Sequence, residues 1–319
     1  MRTTHDEVDL ELLVTRTELV ADRIRQLTLR RRDGGPLPAW TPGAHIDLAV
    51  GGGLVRQYSL CGDPADGQEW TVAVRREDPS RGGSAYVHDS LGVGTLLSAR
   101  GPRNHFPLVD AKDYLFIAGG IGIAPLVPML AQVEQKGVPW RLMYGGRTRE
   151  AMAYADTLVE RYAGRVEIVP EDELGPLHVP TLLQLGGGGT AIYCCGPEGL
   201  VSAIEAMHAR TRLGMLHVER FTPRQLDAPL RTTFEVEAAR SGRVVTVEPG
   251  VTILNALASV GVRVLSSCED GICGTCEVFV LDGVPEHRDS ILTEAERQSS
   301  ETMFVCVSRS LLPRLVLDV

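Results

Sequence analysis

The sequence predicts a multidomain chain: an antiparallel β-barrel, then an α/β domain on a parallel sheet, then a smaller domain around a cysteine cluster. Three observations carry this reading. At 319 residues the chain exceeds one ordinary domain. Its hydrophobic patterning changes near residue 107 and again across 222–231. Three of its seven cysteines fall within the nine residues Cys268–Cys276. The expected boundaries are 8–107, 108–224 and 232–319.

The first stretch, 8–107, holds short β-rich runs such as "HIDLAV", "RQYSL" and "WTVAVRRED". They are separated by the turn signals "GGG", "GDPADG" and "RGG", the pattern of an antiparallel barrel or sandwich. From 113 onward apolar runs alternate with helical spacing: "YLFIAGG", "IAPLVPMLAQVEQKG", "PWRLMYGGR", "AMAYADTLVERYAG", "RVEIVPED", "TAIYCCGP" and "EGLVSAIEAMHARTRLG". Strands alternating with helices predict a parallel sheet. "TPRQLDAPLR" at 222–231 reads as a linker, and "GGGG" at 186–189 as a loop. Beyond the linker come "FEVEAA", "VVTVEPG" and the helix candidate "TILNALASVG".

Bulk composition removes several functions. A net charge of −9 argues against a nucleic-acid binder, which needs a basic patch. Aromatic residues make up 5%, too few for extended base-stacking platforms. No run of ~18 apolar residues is present, so no membrane span is expected. "MRTTHDEVDLELLV" lacks the apolar centre of a signal peptide, and the expected location is the cytoplasm. There the cysteines serve as thiols or ligands rather than disulfides.

"SSCEDGICGTCEVFV" places Cys268, Cys273 and Cys276 in C-x4-C-x2-C spacing, and Cys306 follows with 29 residues between it and Cys276. Plant-type [2Fe–2S] clusters take four thiolates in this arrangement. Gly271 and Gly274 let the backbone approach the inorganic core. Structural zinc is the alternative, but zinc sites pair two C-x2-C knuckles and only one is present. Cys61 and Cys194 read as small core residues.

This last stretch resembles plant-type ferredoxins, which are β-grasp folds. "RQYSL" resembles the R-x-Y-S motif of the ferredoxin–NADP reductase superfamily. The resemblance implies that Arg56 pairs with a flavin phosphate, Tyr58 lies against the ring system or ribityl chain, and Ser59 reaches the reacting edge of the flavin. Strand alternation sets Gln57 with Ser59, opposite Arg56 and Tyr58, and twist at the strand end brings all four toward one ligand. In "SRGGSAYVHDSL", Gly82, Gly83 and Ser84 open a short helix that suits a phosphate. Val74 and Arg75 are expected to offer backbone contacts to the ring edge. His45 and His105 are expected to be structural.

"LFIAGGIGIAP" gives strand, turn and helix. Gly119, Gly120 and Gly122 admit a pyrophosphate at the helix start, as in the similar G-G-x-G-x-[TSA]-P motif; Ala124 stands before Pro125 where many members have Thr or Ser. "YCCGPEGL" resembles the C-G-P motif, which implies that Cys195 and Gly196 lie near the nicotinamide. Phe221, ending "HVERF", corresponds to the aromatic that covers the flavin face. Asp172 suits ribose hydroxyls and so NADH; Arg147 and Arg149 suit a 2′-phosphate, or only the pyrophosphate, or no ligand.

The order of the three stretches matches the phthalate dioxygenase reductase family, which includes vanillate demethylase reductase subunits. The resemblance covers nearly the whole chain. It implies a catalytic set of Ser59, Cys195 and Phe221, with FMN rather than FAD, a [2Fe–2S] cluster and NADH as cofactors. Electrons then pass from NADH through flavin and cluster to a separate oxygenase, of the Rieske aromatic type, or a demethylase. A haem monooxygenase as acceptor, or a place in a larger flavoenzyme complex, remains open at this stage. Beyond Thr232 thirteen acids face seven basic residues, which suits a partner with a basic patch.

Overall fold

A computed structural model describes residues 7–224, 226–228, 230 and 232–319. Of the expected linker, Gln225, Pro229 and Arg231 lie outside the described residues, as does the N-terminal stretch 1–6. The chain forms two compact units, one ending at Glu219 and one spanning Arg220–Val319. Among the described residues no helix is long and apolar enough to cross a membrane.

The first unit contains both expected sheets. Strands β1 (Val8–Ala21), β2 (Ile24–Arg31), β3 (His45–Ala49), β4 (Val55–Ser59), β5 (Trp70–Arg75) and β6 (Leu96–Arg103), with helix α1 (Gly83–Asp89) between the last two, build the barrel. The strand order is β4-β3-β6-β1-β2-β5, and a Leu60–Val72 bridge joins the two ends. Period-two alternation fills it: Leu12 and Val14 of β1 point inward with Leu27, Ile46, Leu48, Trp70 and Val72.

One polar group inside this wall is fully paired. The Asp47 carboxylate accepts from Arg103 at 2.5 Å and from the Gln57 amide at 2.8 Å, and Arg103 also donates to Glu7 at 2.9 Å. The side chains of Asp47 and Arg103 are only 5% and 4% exposed. A charge taken that far from water needs a partner in place.

The second sheet is wholly parallel, with order β11-β10-β7-β8-β9. Its elements are β7 (Asp113–Gly119), α2 (Leu126–Gln135), β8 (Trp140–Gly146), α3 (Ala155–Arg161), β9 (Val166–Pro170), α4 (Glu171–Leu174), α5 (Val179–Gln184), β10 (Thr190–Cys195), α6 (Glu198–Thr211) and β11 (Met215–Glu219). β10 is buried along its whole length and β7 everywhere past its first residue, as central parallel strands are. Helix α2 buries Leu126, Met129, Leu130 and Val133, spaced three and four apart on one face. The strand order reverses between β7 and β10, which makes their carboxyl ends a topological switch point.

The second unit is a sheet gripping a helix. Strands β12 (Phe234–Ala238), β13 (Arg243–Val247), β14 (Glu277–Asp282), β16 (Thr302–Phe304) and β18 (Arg314–Leu317) lie in the order β13-β12-β18-β14-β16. A small ladder pairs β15 (Pro285–Glu286) with β17 (Arg309–Ser310). Helix α7 (Ile253–Ser259) starts where the Thr252 hydroxyl accepts the Asn255 N–H at 3.1 Å. Its Ile253, Leu254 and Leu257 pack with Phe234, Val236, Leu315 and Leu317. Helix α8 (Glu294–Ser299) opens with a Thr293–Glu296 capping box.

Replacing Arg103 by Met leaves the buried Asp47 charge without its cation. Urea unfolding should then show a loss of about 3–5 kcal/mol. A loss below about 1 kcal/mol, the range of an exposed ion pair, would contradict the pair's structural role.

Candidate functional site

The cluster loop spans 268–276. Its course requires a left-handed backbone at Gly271 (φ +71°) and Gly274 (φ +82°). A side chain at Gly271 would also meet Val307 at 2.7 Å. Cys273, Cys276 and Cys306 are buried and Cys268 is partly so. The four thiols gather in two pairs. The bond shared with Cys273, then burial, pushes the Cys268 thiol up, and the same bond lowers Cys273 to about 6. Cys306 is raised in the same way by Cys276.

Backbone N–H groups converge on these sulfurs. Asp270 donates to Cys268 at 3.3 Å, Ile272 also points to Cys268, Gly271 to Cys306, and Cys268 and Thr275 to Cys273. Among the described residues no three metal-binding side chains converge on one point. A tetrahedral zinc needs four donors about one ion. Two thiol pairs surrounded by N–H donors instead fit two irons, each with two protein sulfurs. The loop therefore suits a [2Fe–2S] cluster.

In the barrel, β4 carries the RQYS stretch. Arg56 donates to the Arg81 carbonyl at 3.2 Å. A Cβ at Gly83 would lie 2.8 Å from its Cγ, so Gly83 permits the arginine stem to cross the start of α1. The Ser80 hydroxyl accepts the N–H of Gly82 and of Ala85 at 3.1 and 3.3 Å. The Ser84 hydroxyl accepts from the Glu77 N–H at 3.1 Å, so its backbone rather than its side chain is left to face a ligand. Burial raises the Tyr58 hydroxyl to about 12, against a smaller opposing pull from Arg56. Gln57 is bound to Asp47, the Val74 carbonyl lies 2.9 Å from His88 Nε2, and Arg75 pairs with Glu77 at 3.1 Å. A guanidinium beside a glycine turn, with a tyrosine on the same strand, fits a flavin phosphate and its attached chain.

At the switch point the turn after β7 touches the turn after β10. A Cβ on Gly122 would lie 2.2 Å from the Cys195 carbonyl oxygen, and one on Gly119 2.5 Å from Pro197. The Gly196 Cβ position lies 3.0 Å from the Gly119 Cα. Gly120 (φ +53°) faces open space. Ala124 is buried at the foot of α2, and Pro125 is its first flanking residue. These contacts leave room for a pyrophosphate over the glycine turn. At the ends of β8 and β9, Arg147 and Asp172 are both exposed and their backbones bond at 3.2 Å. Arg149 is paired with Asp156 at 2.6 Å.

The first unit also brings together Ser59 and Cys195, from different sheets, through a third residue. Glu219 ends β11 with its carboxyl enclosed, bonded by Ser59 and approached by the Cys195 thiol at 3.9 Å. Burial raises this carboxyl to about 8, against smaller lowering effects of its two partners. Burial, and then the Glu219 charge, holds the Cys195 thiol well above its ordinary value. Sequence reasoning missed Glu219. The available signal was an acid closing an otherwise apolar strand in "MLHVE". Phe221, the second residue of the second unit, is 37% exposed.

Known proteins share these domains. Residues 116–206 match the family model of an oxidoreductase NAD-binding domain, and 236–310 that of a 2Fe-2S iron-sulfur cluster binding domain. The chain is 41% identical to phenoxybenzoate dioxygenase subunit beta of Ectopseudomonas oleovorans, over 94% of each chain. It superposes on phthalate dioxygenase reductase with 33% identity and a TM-score of 0.69, covering 98% of both chains. It also superposes on an intact type IV self-sufficient cytochrome P450 monooxygenase with 43% identity and a TM-score of 0.92. There it covers 98% of this chain but only 41% of the longer one. The chain belongs to the phthalate dioxygenase reductase family, oxidoreductases that join a flavin barrel, an NAD-binding domain and a [2Fe–2S] ferredoxin domain.

Proposed function

We propose that this chain is the reductase component of an oxygenase or demethylase system, drawing electrons from NADH and delivering them to a separate oxygenase of the Rieske aromatic type. The observation that carries the reading is the four-cysteine loop on the same chain as a nicotinamide switch point. A relative of matching length is named as a subunit of a dioxygenase. Phthalate dioxygenase reductase is described as a modular structure for electron transfer from pyridine nucleotides to [2Fe–2S].

A bound flavin supplies the exchange between a two-electron donor and a one-electron carrier. The chain's own residues orient the parts. Arg56, Gly82, Gly83 and Ser84 hold the flavin phosphate, and Tyr58 flanks the attached chain. Gln57 shapes the strand from behind through Asp47, while Val74 and Arg75 border the ring. The turn Gly119, Gly120 and Gly122, with Ala124 and Pro125, seats the pyrophosphate, and Cys195 with Gly196 borders the nicotinamide. Phe221 covers the flavin face. Ser59 and Cys195 meet at the protonated Glu219 carboxyl. Cys268, Cys273, Cys276 and Cys306 hold the cluster. The order of the modules supports FMN over FAD. Three consecutive exposed acids, Glu171, Asp172 and Glu173, open α4 and disfavour a 2′-phosphate, which supports NADH; Arg147 faces a ribose or pyrophosphate there. A plant-type cluster near about −400 mV can reduce a higher-potential Rieske centre.

A haem monooxygenase as acceptor is the second reading, favoured by the TM-score of 0.92 with part of a cytochrome P450 chain. Reconstitution separates the two. NADH-driven turnover of a purified Rieske oxygenase supports the first; turnover of a P450 alone would transfer the assignment to the second.

Two predictions follow from the site. Cys273→Ser should reduce NADH-dependent cytochrome c reduction to background while dye reduction by the flavin persists; retention of cytochrome c reduction would remove Cys273 from the ligand set. The second concerns Glu219, whose folded carboxyl keeps its proton to about pH 8 while the unfolded one releases it near 4.5. Its contribution to stability is therefore fully present below 4.5 and is lost as pH rises toward 8. NADH-dependent dye reduction should show a step near pH 8 that Glu219→Gln abolishes. An unchanged pH profile in the variant would exclude the carboxyl from the site.

A further inference from the structure

The second unit contains a tie that cluster binding does not require. Residues Glu286–Ser290 bond outward in three directions. Toward the chain entering the unit, the Ser290 hydroxyl accepts the Arg224 N–H at 2.9 Å, and the Arg288 guanidinium donates to the Asp227 carbonyl at 2.5 Å. Toward the cluster loop, the Ser290 N–H donates to the Gly271 carbonyl at 2.9 Å. Toward the segment bearing Cys306, the Arg288 N–H donates to the Ser308 hydroxyl at 3.2 Å.

The turn making these bonds is itself held rigid. The buried Asp289 carboxylate accepts the N–H groups of Ile291 and Leu292 at 2.9 and 2.7 Å, and Arg297 donates to the Asp289 carbonyl at 2.7 Å. Glu286 accepts from Arg288 at 2.8 Å and fixes the direction of its guanidinium. Pro223 and Leu226 line a cavity of about 210 Å³ together with Arg288 and with Glu269 and Asp270 of the cluster loop. Pro223, Arg224 and Leu226, within the stretch that reads as a linker, thus lie beside the cluster loop.

We propose that Arg288 and Ser290 are positioning residues for electron delivery to the cluster, because they clamp the entering residues Arg224 and Asp227 to the cluster module. This rests on the electron-transfer function proposed above. A flexible connection of about ten residues has a root-mean-square span of roughly 17 Å. Electron transfer falls steeply with distance, so a free connection of that kind spends little time in productive geometry. The clamp removes that freedom on the cluster side. The arginine suits the task because its planar fork serves the Glu286 carboxylate and the Asp227 carbonyl together.

The test uses the full holoprotein with Arg288→Ala, Ser290→Ala, the double variant and Arg288→Lys. Trypsin should cut after Arg224 faster in the alanine variants than in wild type. Single-turnover stopped flow should show flavin reduction by NADH unchanged and transfer from flavin to cluster slowed about tenfold. The cluster's visible spectrum and midpoint potential should stay at wild-type values, and the KM for cytochrome c should not move while kcat falls. The double variant should be no slower than Arg288→Ala, since both residues hold one segment. Arg288→Lys, which keeps one donor for the Asp227 carbonyl, should recover part of the rate.

Wild-type trypsin resistance in both single variants would overturn the clamp, as would an unchanged transfer rate. A shifted potential would assign the two residues to cluster tuning and equally end the proposal. Should wild type itself pass no electrons from flavin to cluster, the functional reading fails instead, and the trypsin result still judges the clamp. Ser290→Ala removes only a hydroxyl and keeps the test available if Arg288→Ala folds poorly.

Discussion

Four thiols gathered away from water accumulate negative charge as they lose their protons, and something must answer that charge. Loop 268–276 does so with the backbone: N–H groups of Cys268, Asp270, Gly271, Ile272 and Thr275 point at sulfur. Backbone donors cannot rotate away or be titrated, and they set the potential of a cluster as well as its retention. That geometry requires positive φ at Gly271 and Gly274, and it requires the sheet behind the loop to hold Cys306 opposite. The β-grasp core, the capped helix α7 and the tie through Ser290 all bear on that one requirement.

The nicotinamide side solves a different problem. A hydride acceptor must be reached from one face by a large, charged donor, so backbones have to come close without side chains between them. Gly119, Gly122 and Gly196 do this where β7 and β10 end, with any Cβ at Gly122 excluded by the Cys195 carbonyl. The ends of β10 and β11 deliver Cys195 and Glu219 toward Ser59 of the barrel. Burial favours the neutral form of the Glu219 carboxyl, which adds no negative charge where electrons arrive. Under the proposed function, the first unit separates charge binding, assigned to Arg56 and the glycine turns, from a nearly neutral reacting edge.

Much of this was legible in the residues. The cysteine spacing, the RQYS strand and the glycine turn after "LFIA" are local signals, fixed by the few residues around them. The alternation of strands and helices gave the parallel sheet for the same reason. Glu219 was not legible, because its role depends on a strand end meeting β4 some 160 residues earlier in the chain (Ser59 to Glu219). The attachment of Arg224 and Asp227 was equally hidden: their partners lie 66 and 61 residues away, and "TPRQLDAPLR" has the composition of a free linker. Also hidden was the bond from the Gln57 amide to the buried Asp47–Arg103 pair, which joins strands distant in sequence.

The central claim is that one chain couples a hydride acceptor to a one-electron carrier closely enough for charge to pass between them. Anaerobic mixing with NADH, followed by visible absorbance and by freeze-quench electron paramagnetic resonance, tests it most directly. The account predicts that flavin bleaching is followed within the same turnover by the signal of a reduced [2Fe–2S] centre. Flavin bleaching with a cluster that stays oxidised would contradict it.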